Sequence, residues 1–315
     1  MKNATDIPFR RGLHELGGGA WAYLQPNGTL GLSNAGLLAG RGSSMVVDTL
    51  FDLHLAGAMF EAMAPILEDN PLTMAVNTHA NPDHTFGNQL LPESTQVWAS
   101  AAASIEFDDY PPAVMAEHQK MRSDDASPFA GFDFTNIELR RPDRTFNGLQ
   151  ELRVAGRTVQ LMEVGPAHTK GDVIVYAADP GVVIAGDILF VGILPMMWQG
   201  PTSNWIAALD RIMELEPHLV IPGHGPVTDV AGVRRARDLL AFVETEAIRC
   251  RARGMGVMEA VDDIGPDPFR GLLEPERVVN LVDMMYSEGD ATHTMMAATE
   301  AHEQMTLVAN NWARS

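Results

Sequence analysis

Cysteine is almost missing from this chain. Cys250 is the single one in 315 residues, so an intrachain disulfide is excluded and a reducing compartment is expected. It falls in the helical pattern RRARDLLAFVETEAIRCRARG and reads as a half-buried helix residue rather than a reactive thiol. Long apolar runs are missing too. No stretch approaches the roughly 18 consecutive apolar residues needed to cross a bilayer, and the start, MKNATDIPFRRGLHELGGG, has no apolar segment behind its basic residues. The expectation is a soluble, unexported, cytoplasmic protein with no membrane partner. Positive charge is scarce: 22 Lys and Arg face 41 Asp and Glu, a net charge of −19. With no basic run to offset it, a nucleic-acid backbone or an anionic lipid surface would be repelled. A small molecule is the expected partner. What is plentiful is core material, since 46% of residues are hydrophobic, and this length suits one large or two ordinary domains.

Short apolar runs broken by PNG and GRGS between Trp21 and Asp48 predict a β-meander with tight turns. FDLHLAGAMFEAMAPILEDN then sets Leu53, Ala56, Met59, Phe60 and Met63 at helical spacing, before a strand-like PLTMAVNTH. Residues 105–146 are rich in Pro, Phe and Met, too apolar for a free linker, and read as a helical lid or insertion. From Leu152 strand patterns resume. SSMVVDTLF and GVVIAGDILF echo each other, each a strand ending in Asp before a bulky apolar pair, which hints at two similar halves. Beyond Asp229 no strand signal appears, and three or four helices are expected. The pattern predicts an α/β fold, two sheets covered by helices on both outer faces, over residues 1–229, with a C-terminal helical extension over 230–315. That extension would be a cap or an oligomer surface, and a homodimer is plausible.

Dense polar clusters follow the predicted strands. NTHANPDHTFGN packs His79, Asn81, Asp83 and His84 into six residues, and Asp48, His168, Asp187 and His224 stand in similar positions. Loops at one end of a sandwich bring such ligands together around a point that no single segment can surround.

The segments THANPDH, GPAHTKGD, IAGD and PGHG, in this order and spacing, resemble the motifs of the metallo-β-lactamase superfamily over about residues 18–229. The resemblance implies an αββα fold and one or two metal ions, usually zinc and sometimes iron or manganese, that activate water for hydrolysis. Matched residue by residue, it implies His79 and His168 as ligands of a first site, Asp83, His84 and His224 as ligands of a second, and Asp187 as the bridging carboxylate. Asp48 matches a strand-end residue that supports the site from behind. Asn81 stands where the family has a histidine. An amide oxygen binds zinc less well than an imidazole nitrogen, so the expectation is one tightly held Zn2+ at the second site and a weak or empty first site. Asn81 would contact the first site weakly or hydrogen-bond substrate. The first motif is nearest to cyclase and thioesterase members of the superfamily.

Asp83 is the candidate catalytic residue, orienting a metal-bound hydroxide towards an ester, thioester or lactone. Apolar residues of the lid and of ILPMMW (193–198) suggest an apolar or aromatic acyl group. Tyr110 and His118 lie in the lid, and Lys170 follows His168; each is a secondary candidate for substrate contact. His54, His218, His293 and His302 show no ligand spacing. The alternatives are an iron-dependent oxidoreductase on the same scaffold and a non-catalytic metal-binding protein.

Overall fold

The computed structural model describes residues 2–121, 129 and 131–313. The first sheet consists of β1 (Gly12–Gly17), β2 (Ala20–Leu24), β3 (Ala35–Gly40), β4 (Ser43–Val47), β5 (Leu72–Val76), β6 (Gln96–Ser100) and β7 (Arg144–Phe146), hydrogen-bonded in that order. β1 to β4 pair antiparallel, as the PNG and GRGS turns predict, and β4 to β7 pair in parallel. The second sheet runs β8 (Leu149–Val154), β9 (Arg157–Glu163), β10 (Val173–Ala177), β11 (Val182–Ile184) and β12 (Leu219–Ile221). Its last pair alone is parallel. The two echoing segments are β4 and β11, one in each sheet, and both enter parallel pairs.

Because successive strand residues point to opposite faces, each sheet contributes to two cores. Leu38, Val47 and Val76 meet Leu161, Val175 and Ile184 between the sheets. Val46 and Ala75 turn outward against Leu55, Met59 and Met63 of helix α1 (Leu53–Leu67). Asp52 caps that helix by accepting the Leu55 N–H at 2.7 Å, which sets its rotation so that Leu55 is buried and Leu53 only half-buried. Each such aliphatic side chain contributes about 1.5–3 kcal/mol on full burial.

Three short helices follow α1: α2 (Pro82–Thr85), α3 (Ala101–Glu106) and α4 (Pro112–Met121). The outer face of the second sheet, Ile174, Val183 and Val220, packs against α5 (Thr202–Glu214), α6 (Val230–Ala252), α7 (Val257–Ile264) and α8 (Val278–Gly289). α9 (Ala298–Trp312) joins the same core through Val308. Helices α6 to α9 thus join α5 in the outer layer of the second sheet. The order of layers is helix, sheet, sheet, helix. Among the described residues no helix is long and apolar enough to cross a membrane.

The aromatic residues expected in a lid pack elsewhere. Phe132 and Phe134 stand 4.7 and 4.8 Å from Phe51, ring to ring, and belong to the core beneath α1. Phe107 is also buried. The stretch is apolar because it fills a core, and Tyr110 is the member that turns to the polar end. Residues 122–128, and the side chains of His118 and Met121, lie outside the described residues.

Candidate metal centre

Strand ends deliver the polar residues to one place. β4 ends at Val47, and Asp48 takes a left-handed backbone (φ 66°), a conformation seldom adopted away from glycine. Its buried carboxylate accepts the Thr78 N–H and hydroxyl, each at 2.8 Å, and the His84 Nδ1–H, also at 2.8 Å. β5 ends just before His79, and Pro82 starts α2, on which Asp83 and His84 sit. His168 comes from the loop between β9 and β10, Asp187 from the turn after β11, and His224 from the loop after β12. Gly223 lets that loop close on the site, since a methyl group there would lie 2.0 Å from Asp187 Oδ1.

All six motif residues converge. Asp187 Oδ1 lies 3.1 Å from His84 Nε2, and Asp187 Oδ2 lies 3.2, 3.5 and 3.9 Å from Nε2 of His168, His224 and His79. Asp83 Oδ2 is 3.3 Å from His224 Nε2 and 3.8 Å from His84 Nε2. Two groups able to hold an ion result: His79, His168 and Asp187, and beside them Asp83, His84 and His224.

The outer ring nitrogens decide which way the lone pairs face. His84 Nδ1 donates to Asp48, His168 Nδ1 to the Met196 carbonyl at 2.8 Å, and His224 Nδ1 to the Gly28 carbonyl at 2.9 Å. The Thr78 hydroxyl is spent on Asp48, so it accepts from His79 Nδ1, 3.0 Å away. In its neutral form each imidazole therefore keeps its proton on the outer nitrogen, and its Nε2 lone pair points inward at two carboxylates. His79 Nε2, His84 Nε2 and Asp187 Oδ1 are buried without a hydrogen-bond partner. Buried acceptors facing one another are costly unless something positive lies among them. The donor set fits a divalent cation.

Protons are the competitor for that place. Burial opposes charge on His84, but Asp187, Asp83 and Asp48 outweigh it and raise its pKa well above the ordinary value. Burial likewise opposes charge on His224, and Asp187 and Asp83 carry it up to about 9. His79 and His168 go the other way, because burial dominates and their pKa values fall. Burial alone would raise Asp83, yet His84 and His224 hold it below the usual carboxylate range.

Asn81 adjoins the first group. Its Oδ1 stands 2.9 Å from His168 Nε2, a nitrogen whose proton is already committed on the other side. Two acceptors at that distance share a cation, or the amide is turned so that its NH2 donates. The Tyr110 hydroxyl lies beside the Asn81 side chain. Burial, first, and then the Glu106 charge push its pKa up to about 12, so it stays a neutral donor.

The remaining sequence candidates lie elsewhere. Lys170 is 56% exposed and stands 3.9 Å from Glu106 and from Asp109, at the rim. His293 pairs with Asp283 at 2.7 Å, and His218 Nε2 bonds the Lys2 carbonyl at 2.8 Å. Cys250 is buried in α6, and burial raises its thiol pKa. Sequence reasoning missed Thr78 and Phe190. The Phe190 ring stacks on His224 at 5.0 Å and 6°; its only signal was the apolar pair after Asp187.

Comparison with known proteins adds independent findings. A family model described as the metallo-beta-lactamase superfamily matches residues 28–224, more than half of the chain. The chain is 22% identical over 240 residues to a linear primary-alkylsulfatase of Pseudomonas sp., covering 64% of this chain and 44% of that one. It is 23% identical to acyl-coenzyme A thioesterase MBLAC2 of Gallus gallus, over 48% of this chain and 56% of that one. The chain thus spans about half the length of these curated relatives. Among solved structures, a stereoselective inverting sec-alkylsulfatase from Pseudomonas sp. superposes with a TM-score of 0.69 at 16% identity, over 88% of this chain and 50% of that one. A metallo-beta-lactamase family protein of Thermus thermophilus superposes with a TM-score of 0.62 at 20% identity, over 88% of this chain and 95% of that one. At such identities the structural likeness speaks for the fold alone.

Proposed function

Since this chain belongs to the metallo-β-lactamase superfamily, we propose that it is a metal-dependent hydrolase acting on an ester, thioester or lactone with an apolar acyl group. The observation that carries this reading is the ring of inward lone pairs on His79, His84, His168 and His224 around Asp83 and Asp187, with buried acceptors left unpartnered. Asp83, His84, His224 and Asp187 would hold the tighter ion; His79, His168, Asp187 and the Asn81 amide oxygen would hold a weaker one. Imidazole and carboxylate suit zinc first, with iron or manganese as substitutes. A divalent ion bound there supplies a Lewis acid and lowers the pKa of a water to about 7.

The chain's own residues do the rest. Asp83 is partly open to solvent, with its side chain 13% exposed, and its depressed pKa keeps it ionised, so that it can accept a hydrogen bond from the attacking water and orient it. Tyr110 offers a neutral O–H beside Asn81 and supplies the hydrogen bond to a substrate oxygen that no charged residue at the site provides. Asp48 locks the His84 ring through Nδ1, which fixes where Nε2 points. Trp198, half exposed, follows Met196 and Met197 next to His168 and offers an apolar surface for the acyl group. The likeness to a thioesterase supports this substrate class. A second reading, an alkyl sulfate ester, draws support from the likeness to a primary-alkylsulfatase.

A panel of aryl esters, acyl-thioesters and alkyl sulfates tests both. Turnover of one class is expected, lost on chelation and reduced by Asp83→Ala on the order of 10²–10⁴-fold in kcat. Turnover that ignores the chelator and Asp83→Ala would refute the hydrolase reading.

A further inference from the structure

Behind the metal centre lies a concavity lined almost wholly by apolar side chains. A cavity of about 330 Å³ opens between the loop after Asp187 and helices α5, α6 and α8. Phe190, Ile193, Trp205, Leu240, Val243 and Leu281 line it, and among the described residues Arg235 is the one charged group in its wall. That volume falls at the lower end of the roughly 300–1,000 Å³ typical of small-molecule sites. An apolar cavity stays dry and takes apolar guests, because water finds no hydrogen-bond partners in it and the lining atoms lack contacts on one side.

Arg235 decides which guest. It is exposed, it sits on the face of α6 that carries Gly232, Leu239 and Leu240 to the cavity, and among the described residues it makes no ion pair. Its neighbour Arg237 is paired with Asp210 at 3.2 Å. In a chain of net charge −19, a guanidinium left without a carboxylate at an apolar mouth selects an anionic head group. We propose that this cavity binds an aliphatic chain that ends in an anion, the chain inside and the head on Arg235.

The site shares a wall with the metal centre. The Phe190 ring lines the cavity and stacks on His224, and the Trp205 ring lines it and stands 5.6 Å from His168, edge to face. A bound chain therefore packs against the reverse side of the rings that hold two site histidines. This inference does not depend on which bond the metal centre cleaves, or on whether it cleaves any.

Calorimetric titration with decanoate and with decanol tests it, on the protein as purified and again after chelation. Saturable one-to-one binding of decanoate is expected, unchanged by chelation. Arg235→Gln, a substitution at an exposed position, should weaken decanoate at least fivefold and leave decanol within twofold. Ala236→Phe, which fills the cavity from α6, should abolish both while Arg235 remains. Decanoate binding that disappears on chelation places the carboxylate on the metal and overturns the proposal. So does equal binding of decanoate to the protein and to Arg235→Gln, or the absence of saturable binding.

Discussion

At the scale of single residues, Asn81 separates this chain from the pattern it resembles. The amide stands at the first site, with Oδ1 2.9 Å from His168 Nε2, and Tyr110 lies beside it. A neutral amide oxygen is the weaker zinc donor, so the first site should fill last. Asn81→His is expected to tighten that site at least tenfold and raise the bound metal towards two ions per chain, as read by titration against a competing chelator with elemental analysis. An unchanged stoichiometry and affinity would remove Asn81 from the first site. His79, Asp83, His84, His168, Asp187 and His224 were legible in the sequence because each follows a strand-like run and the ordered set resembles a known ligand pattern; His168, Asp187 and His224 taken singly carry no such signal. Their supports were not legible. The Met196 and Gly28 carbonyls that fix two tautomers are backbone groups, and any residue type offers one.

At the scale of elements, the loop between β9 and β10 shows how a buried carboxylate shapes a turn. Asp172 accepts the Thr169 N–H at 2.9 Å and the Thr169 hydroxyl at 2.7 Å, and its own carbonyl receives the N–H groups of Val164 and Gly165. His168 is presented by that turn. Burial raises the Asp172 pKa to about 7 from an ordinary 3.8. The unfolded chain then loses this proton at lower pH than the folded one, so the group costs stability progressively as pH climbs from about 4 to about 7, and the cost is constant above that. Asp172→Asn removes the titration and keeps one acceptor for the Thr169 N–H, while its NH2 can donate to the Thr169 hydroxyl oxygen. Between about pH 5 and pH 8 the variant should lose less stability than the parent, by on the order of 2–3 kcal/mol, measured by urea unfolding. Parallel pH profiles would contradict the shift. Apolar runs and helical spacing made β2 to β5, β8 to β12 and α1 legible, whereas β1, β6 and β7 carry too short or too mixed a pattern to be read as strands, and the rotation of α1 is set by the Asp52 cap. The aromatic run from 129 to 134 misled for a physical reason: a side chain's size reports that it will be buried, not against what.

At the scale of the molecule, the helices beyond 229 are woven into the second sheet's core. Arg277 makes the join visible, since it is buried, donates to the Leu194 carbonyl at 3.0 Å and pairs with Glu274. Asn280 of α8 brackets Met197 with two hydrogen bonds, at 2.7 and 3.1 Å. The loop that runs from Asp187 past His168 is thus braced from the C-terminal helices, and the apolar cavity lies in that same seam. A sequence with no strand signal after Asp229 reads as an appended piece, because helical periodicity shows that a face is apolar without showing which sheet it covers.

The central claim is that protein side chains from separated loops have been arranged to hold divalent cations, and an anomalous-scattering map of crystals of the protein purified without added metal tests it most directly. The account predicts a strong peak within bonding distance of Asp83, His84, His224 and Asp187, and a weaker one beside His79, His168 and Asn81. No peak at either place after soaking with zinc, or a strong peak that avoids these residues, would contradict it.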